Sequence, residues 1–130
     1  MKTLCLDTHT WVWFTQLDDK LSRKTRLLIE NSDRAFVSVV SIYEIGQKIR
    51  LGKWPEMDET KLDLMIEDKV SDITLLPVTP EIARHASLMD WPHRDPFDRL
   101  IAATALSHGA GLASRDLAFD GLDGVNRIWE

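Results

Sequence analysis

The chain alternates short apolar runs with longer segments of helical periodicity, and this alternation is its strongest constraint on a fold. The apolar runs, of the kind found in buried β-strands, span residues 2–6, 35–39, 73–78, 112–114 and 125–129. In most segments between them, apolar side chains recur every three or four positions, as on one face of a helix. Parallel strands are joined by long crossovers that usually contain a helix. The pattern therefore predicts an α/β fold, a mostly parallel sheet covered by helices on both faces.

Residues that favour helix N-termini mark where the predicted helices begin. These residues are Thr8 or Thr10, Ser22, Ser41, Asp58 or Thr60, Thr79 and Asp95. Pro80 and Pro96 follow the last two, at the first helical position, which proline favours. The first helix is expected to reach Leu17, with Trp11 and Phe14 among its apolar residues. Six helices are therefore predicted.

Length and composition are those of one globular domain, predicted to span residues 1–130. Hydrophobic residues make up 44% and charged residues 28% of the chain, which is typical of soluble proteins. No apolar run approaches the roughly 18 residues of a membrane-spanning helix, and Asp7 interrupts the N-terminal run before a signal-peptide core could form. The single cysteine, Cys5, has no partner for an internal disulfide and is expected to be a buried small hydrophobe. We therefore expect a cytoplasmic protein that is not associated with a membrane.

The net charge of −5, from 21 acidic and 16 basic residues, bears on the class of ligand. Nucleic-acid binding relies on Lys and Arg, so an even distribution of the acids would argue against it. The acids could instead be concentrated around bound cations. Net charge alone therefore leaves the substrate open.

Four acidic residues are predicted to meet at one edge of the sheet. Asp7 and Asp116 follow the first and fourth strands, whereas Glu44 and Asp98 lie in the first turns of two helices. The carboxyl ends of parallel strands share one edge, where ligands bind. Four clustered carboxylates repel one another unless a cation compensates them, and Mg²⁺ or Mn²⁺ prefers such oxygen ligands. A site of this kind supports metal-assisted hydrolysis of phosphodiesters.

Three of these acids also have a purely structural interpretation. Asp7 could end the strand or cap the first helix, and Asp116 could cap a short helix that starts at Leu117. Glu44 precedes Lys48 by four positions, the favoured spacing for an exposed ion pair on a helix. Their shared placement, more than any single acid, favours a site.

Asp95 and Asp98 pose the same question within one short segment, DPFD. Asp95 is well placed as an N-cap because Pro96 follows it. Asp98 then lies in the first helical turn, where the helix dipole stabilises a carboxylate whether or not it binds metal. From the residues alone, Asp95 either joins the site or only caps the helix.

Four segments, taken in order, resemble the motifs of one known family. They are LDTH at 6–9, SVVSIYEI at 38–45, DRLIAATA at 98–105 and LASRD at 112–116. Each motif is short, but all four occur in the same order and at matching spacing. Across essentially its whole length, the chain resembles the PIN-domain ribonucleases of the VapC type, the toxins of bacterial toxin–antitoxin pairs.

The resemblance implies a three-layer α/β/α PIN-like fold and metal-dependent endonucleolytic cleavage of RNA. The implied ligands of Mg²⁺ or Mn²⁺ are Asp7, Glu44, Asp98 and Asp116. Thr8 and Ser114 would orient these ligands or a water molecule. A homodimer and inhibition by a small antitoxin protein are also implied. No metal role carries over to Asp95, because the family pattern requires only the second acid of the DPFD segment.

An RNA substrate would need cations near the acidic site. The candidates for phosphate contacts are Lys48, Arg50, Lys53, Arg94, Arg99 and Arg115. Trp11, Trp13 and Phe14 of the first helix are bulky enough for the core, and some of them could instead form a dimer or antitoxin surface.

Two other functions fit parts of the sequence. An aspartyl-nucleophile phosphatase would use Asp7, but His9 stands where such enzymes usually carry a second Asp. A PIN-fold module that binds RNA or protein without catalysis would not need all four acids. Metal-dependent cleavage of a fluorogenic RNA, with EDTA as control, separates the nuclease from both.

Overall fold

The computed structural model describes residues 2–130. The strands are β1 (Thr3–Leu6), β2 (Arg34–Ser38), β3 (Ile73–Leu76), β4 (Gly111–Ala113) and β5 (Arg127–Ile128). The helices are α1 (Thr8–Thr15), α2 (Arg23–Glu30), α3 (Val40–Arg50), α4 (Glu59–Glu67), α5 (Pro80–Leu88) and α6 (Pro96–Ser107), and a short 3₁₀ helix spans Leu117–Gly121. The predicted order of strands and helices is confirmed. None of the helices within residues 2–130 is long and apolar enough to span a membrane.

The five strands form one parallel sheet in the order β3-β2-β1-β4-β5. β1 lies in the middle, and the chain adds β2 and β3 on one side of it but β4 and β5 on the other. The strand order therefore reverses between β1 and β4, and such a reversal is where open α/β sheets bind ligands. Leu6 of β1 is in register with Ala113 of β4, so the residues that follow these strands emerge side by side.

Residues that alternate along the central strand pack into two cores, one on each face of the sheet. Leu4 and Leu6 join a cluster that includes Trp11 of α1, whereas Cys5 joins a second cluster with Ile101 of α6. Successive side chains of a strand point to opposite faces, so both faces are covered. The three-layer α/β/α arrangement and the buried Cys5 are both confirmed.

Hydrogen bonds at the helix N-termini confirm four predicted caps. The capping side chains are those of Ser22 in α2, Asp58 in α4, Thr79 in α5 and Asp95 in α6. Each accepts a hydrogen bond from a backbone N–H that has no partner within the helix, an interaction that contributes about 1 kcal/mol. Pro80 and Pro96 occupy the first turns of α5 and α6, as predicted.

Helix α1 begins and ends differently from the prediction. Its cap is Asp7, which confirms the structural interpretation of that acid, and not Thr8 or Thr10, because Oδ1 of Asp7 accepts the N–H of Thr10 at 2.9 Å. The helix ends at Thr15, before the predicted Leu17. Leu17 is exposed and has a φ of 55°, a left-handed conformation that cannot continue an α-helix.

Helix α3 and strand β3 also depart from the prediction by one or two residues. α3 begins at Val40, and the predicted cap Ser41 instead places its hydroxyl 2.8 Å from that of Thr8. β3 ends at Leu76 because Pro77 has no N–H with which to extend the ladder.

Candidate metal-binding active site

A cleft of about 360 Å³ at the carboxyl ends of the strands is lined by five carboxylates. These belong to Asp7, Glu44, Asp95, Asp98 and Asp116. The first follows β1, the second lies in α3, the next two lie at the start of α6, and the last follows β4. The parallel topology thus brings all four predicted ligands, and Asp95, into one cleft.

Asp7 is 8% exposed, and both of its carboxylate oxygens accept hydrogen bonds. Oδ1 caps α1, and Oδ2 accepts the hydroxyl of Ser114 at 2.5 Å. The Ser114 Oγ also accepts the N–H of Asp116 at 3.0 Å, which links the acids that follow β1 and β4. Burial raises the pKa of Asp7, although the hydrogen bonds from Ser114 and Thr10 oppose the shift. The carboxylate is held in one orientation, and neutral donors compensate its charge only in part.

Glu44 forms the predicted ion pair and also lies in the cleft. Its Oε2 lies 3.2 Å from Nζ of Lys48, which is the predicted ion pair, yet the carboxylate is buried and lines the cleft. Oε1 accepts the hydroxyl of Thr8 at 2.6 Å. Since Thr8 donates to Glu44, the neighbouring hydroxyl of Ser41 donates to Thr8 at 2.8 Å. Two buried hydroxyls and one ammonium therefore orient this carboxylate.

His93 contacts the site and was missed by the sequence analysis. Its Nε2 lies 2.7 Å from Oδ2 of Asp98, and its ring stacks on Trp91 with 4.6 Å between centroids. Asp95 accepts the N–H groups of Phe97 and Asp98 at 2.9 and 3.4 Å, so its role as a cap is confirmed. In the sequence, the signal for His93 was a histidine five positions before Asp98, in the loop that precedes the helix carrying Asp98.

The environment of Asp98 disfavours its negative charge. Burial raises the pKa of Asp98 to about 6, the hydrogen bond with His93 opposes this shift, and the charges of Asp95 and Glu44 add to it. One possible ligand atom from each of His93, Asp95 and Asp98 lies within 4.8 Å of the other two. No other three such side chains within residues 2–130 approach one another so closely. The ligand atoms of the four predicted ligands are therefore further from one another than those of His93, Asp95 and Asp98.

Asp116 is the most exposed of the four predicted ligands. Its Oδ1 accepts the N–H of Ala118 at 2.9 Å, so it caps the 3₁₀ helix, as the structural interpretation predicts. It nevertheless lines the cleft, beside the Ser114 hydroxyl that links it to Asp7.

Comparison with known proteins identifies the family of this chain. The family model for the PIN domain matches residues 4–125. The chain belongs to the PIN-domain family. It is similar to Ribonuclease VapC22 of Mycobacterium tuberculosis (strain ATCC 25618 / H37Rv), with 28% identity over 123 residues that cover 89% of this chain and 88% of the relative.

Solved structures share the fold of this PIN domain. VapBC2 from Rickettsia felis, bound to a DNA fragment from its promoter, matches with a TM-score of 0.67 and 18% identity, over 98% of this chain and 99% of the other. DNA-bound VapBC from Salmonella typhimurium matches with a TM-score of 0.68 and 20% identity, over 98% of each chain. The three-layer fold predicted from the sequence is therefore that of a PIN domain.

The donor set of the PIN domain fits a hard divalent cation. The cleft offers carboxylate oxygens, which Mg²⁺ and Mn²⁺ prefer, whereas the thiol of Cys5 is buried in the core. The raised pKa values of Asp7 and Asp98 have burial as their main cause. A bound cation would favour the ionised form of both carboxylates.

The predicted phosphate contacts are distributed unevenly around the PIN domain. Lys48 and Arg115 line the acidic cleft, and Lys53 lines a neighbouring groove. Arg50 and Arg94 are exposed but are not among the residues that line the cleft. The structure therefore places two of the six candidates at the acids.

Arg99 has a structural role, which contradicts its predicted contact with phosphate. Its guanidinium donates hydrogen bonds of 2.7–2.9 Å to four backbone carbonyls, those of Ala86, Met89, Trp91 and His93. Consecutive helical residues point about 100° apart, so Arg99 faces away from its neighbour Asp98. It ties the end of α5 and the following loop to α6.

The aromatic side chains of α1 serve mainly the core. Trp11 is 2% and Trp13 7% exposed, and both belong to the cluster on one face of the sheet. Phe14 is partly buried, with the guanidinium of Arg26 4.9 Å from the ring centroid. The core interpretation is confirmed for the two tryptophans.

Proposed function

We propose that this PIN domain is an Mg²⁺- or Mn²⁺-dependent endoribonuclease and the toxin of a toxin–antitoxin pair. The observation that carries the proposal is the convergence of four carboxylates, distant in sequence, in one cleft at the reversal of strand order. The mycobacterial relative is a ribonuclease, which supports RNA as the substrate. The VapBC complexes that share the fold support an antitoxin partner.

We assign the metal ligands as Asp7, Glu44, Asp98 and Asp116. A bound cation would polarise the phosphate and lower the pKa of a water molecule. Thr8 and Ser114 are positioning residues, because each donates a hydrogen bond to one oxygen of a ligand. His93 holds Asp98 in the same manner, and Asp95 aims Asp98 by capping its helix.

Two cations accompany these acids in the cleft. Lys48 is paired with Glu44, whereas Arg115 lies two residues after β4, the strand that ends beside Asp7. A phosphodiester that enters a cleft with five carboxylates is repelled unless positive charge offsets them. Lys48 and Arg115 would supply that charge next to the cleaved phosphate.

The residue two positions after Asp7 argues against the phosphatase alternative. Aspartyl-nucleophile enzymes of this kind usually carry a second Asp there as the acid/base, and this chain has His9. His9, at the position of the usual acid/base, is stacked on Trp54 with 4.7 Å between ring centroids. The remaining alternative is a PIN-fold binding module without activity, which the following experiment addresses.

Metal-dependent cleavage of a fluorogenic single-stranded RNA by the purified protein tests the proposal. We expect cleavage with Mg²⁺ or Mn²⁺, none with EDTA, and none by Glu44→Gln, which keeps shape but loses a ligand charge. Glu67→Gln, at an exposed position at the end of α4, is the matched control and should remain active. A wild-type protein without metal-dependent cleavage would be a binding module, and full activity of Glu44→Gln would remove Glu44 from the site.

Assembly and location complete the proposal. We propose that residues 1–130 form one domain (Met1 lies outside the described residues), that the protein is a cytoplasmic homodimer, and that the antitoxin covers the acidic cleft. Light scattering of the purified protein at tens of micromolar measures the assembly. A monomer mass under these conditions would contradict the homodimer.

A further inference from the structure

A second groove, of about 600 Å³, opens beside the acidic cleft. The two cavities share four lining residues, which are His9, Trp13, Lys48 and Arg115. These residues come from α1, from α3 and from the segment after β4. A ligand that occupies the cleft can therefore continue into the groove without leaving the surface of the protein.

The groove and the cleft have opposite charge. The groove is lined by five basic side chains and two acidic ones, which are Lys20, Lys48, Lys53, Lys61 and Arg115 against Asp18 and Glu56. The cleft is lined by five acidic side chains and two basic ones. In a protein of net charge −5, so local an excess of positive charge favours an anionic ligand. We call this cavity the basic groove.

Three cations of the basic groove already have partners within the protein. Lys20 pairs with Asp18 at 3.5 Å, and Lys48 pairs with Glu44 at 3.2 Å. Lys61 donates from Nζ to the backbone carbonyl of Glu56 at 2.7 Å.

Among residues 2–130, Lys53 and Arg115 are the two cations that line the basic groove without an ion pair or a side-chain hydrogen bond. Both are exposed, and neither has a carboxylate partner within residues 2–130. Arg115 lines both cavities, whereas Lys53 lines only the groove. They would therefore meet successive parts of a ligand that leaves the cleft.

Aromatic rings form one wall of the basic groove. His9 stacks on Trp54 at 4.7 Å with 30° between the ring planes. The guanidinium of Arg115 lies 4.7 Å from the ring centroid of Trp13, and the ammonium of Lys48 lies 5.2 Å from that of Trp54. Cations together with aromatic faces are the usual means of binding single-stranded nucleic acid, since phosphates meet the former and bases stack on the latter.

We infer that the basic groove binds the single-stranded RNA segment on one side of the cleaved phosphodiester. Arg115 contacts the phosphate at the point where the RNA strand passes from the cleft into the groove. Lys53 contacts a phosphate further along the strand, and His9 offers a ring face to a base. This inference rests on the proposed ribonuclease function and adds a path for the strand. It makes cleavage depend on nucleotides on one side of the cut, a dependence that the acids alone do not create.

The test uses the combined variant Lys53→Gln/Arg115→Gln. Its control is Lys24→Gln/Arg84→Gln, which removes the same charge at exposed positions of α2 and α5. Binding of a fluorescein-labelled RNA of about 10 nucleotides is measured by anisotropy with Mg²⁺ present, at several salt concentrations, in an Asp98→Asn background that prevents cleavage. Thermal melting confirms that each variant is folded.

We expect the Kd of the groove variant to rise about tenfold and that of the control less than twofold. Each lost phosphate contact should make the negative slope of log K against log salt shallower by about 0.7. In the Asp98-intact protein, kcat/KM should fall more for this RNA than for a dinucleotide, which is too short to reach Lys53.

Equal Kd values and salt slopes for the groove variant and the control would overturn the inference, and the groove would then serve another ligand, such as an acidic segment of a partner protein. Equal losses on the dinucleotide and the longer RNA would also overturn it. The proposed function fails separately, if the wild-type protein does not cleave RNA. The binding measurement still decides the role of the groove in that case.

Discussion

Asp98→Asn is expected to stabilise the metal-free protein at neutral pH. Burial raises the pKa of Asp98 from 3.8 to about 6 in the folded protein. The hydrogen bond with His93 opposes this shift, and the charges of Asp95 and Glu44 add to it. The folded state therefore holds this proton more tightly than the unfolded state does. The resulting stability is fully present below the unfolded pKa of 3.8 and is lost as pH rises through about 6.

The magnitude follows from the size of this difference. Above both pKa values, the difference corresponds to at most about 3 kcal/mol of unfolding free energy. The side chain is 19% exposed, and solvent screening reduces this figure to about 1–2 kcal/mol. The asparagine also loses a favourable interaction with the dipole of α6, roughly 0.3–1 kcal/mol. We expect a net stabilisation of about 1 kcal/mol at neutral pH.

Urea denaturation in EDTA measures the difference in unfolding free energy between Asp98→Asn and wild type. The measurement is made at about pH 4.5 and about pH 7.5, on either side of the raised pKa. The variant should be more stable than wild type at the higher pH, and this advantage should be clearly smaller at the lower pH. Asp90→Asn, at an exposed position of the loop that precedes α6, should leave both values unchanged. Added Mg²⁺ should reverse the order, because only the wild-type carboxylate binds it fully. An Asp98→Asn protein that is less stable than wild type at neutral pH without metal would refute the reasoning.

Three further predictions concern the neighbours of this carboxylate and its metal. Asp95→Ala should lose about 1 kcal/mol through the missing cap and part of the RNA cleavage activity, while Asp95→Asn, which still caps, should retain most of both; an inactive but folded Asp95→Asn would place Asp95 in the chemistry. Arg99→Lys should lower the unfolding free energy in urea by about 2–3 kcal/mol, because one ammonium cannot satisfy four carbonyls; unchanged stability would make those contacts dispensable. Millimolar Mn²⁺ should raise the melting temperature, with about 2.7 kcal/mol of stabilisation at about 100 times its Kd; an unchanged melting temperature would count against a metal site.

Much of the fold follows from interactions between residues that are close in sequence. The apolar periodicity distinguishes strands from helices, and side chains such as Ser22, Thr79 and Asp95 cap the nearest N–H groups. Because parallel strands end at a common edge, the positions of Asp7 and Asp116 after their strands also predict one side of the cleft. The sequence by itself therefore determined the order of the elements, the class of fold and the candidate acids.

The tertiary structure decided how these candidates are used, because their partners come from other elements. Nothing within one turn of Glu44 predicts that Thr8 donates to it, and the loop path that brings His93 to Asp98 depends on the anchoring of that loop by Arg99. The same anchoring excludes Arg99 from phosphate binding, although it directly follows Asp98.

The basic groove shows the same dependence on packing between distant elements. Lys53 and Arg115 are far apart in the chain and become neighbours of one cavity only when α1, the loop after α3 and the segment after β4 pack together. Periodicity and capping act over a few residues, whereas charge complementarity across a cavity depends on contacts between distant segments. The sequence determined which residues carry the chemistry, and the tertiary structure decided which of them face one another.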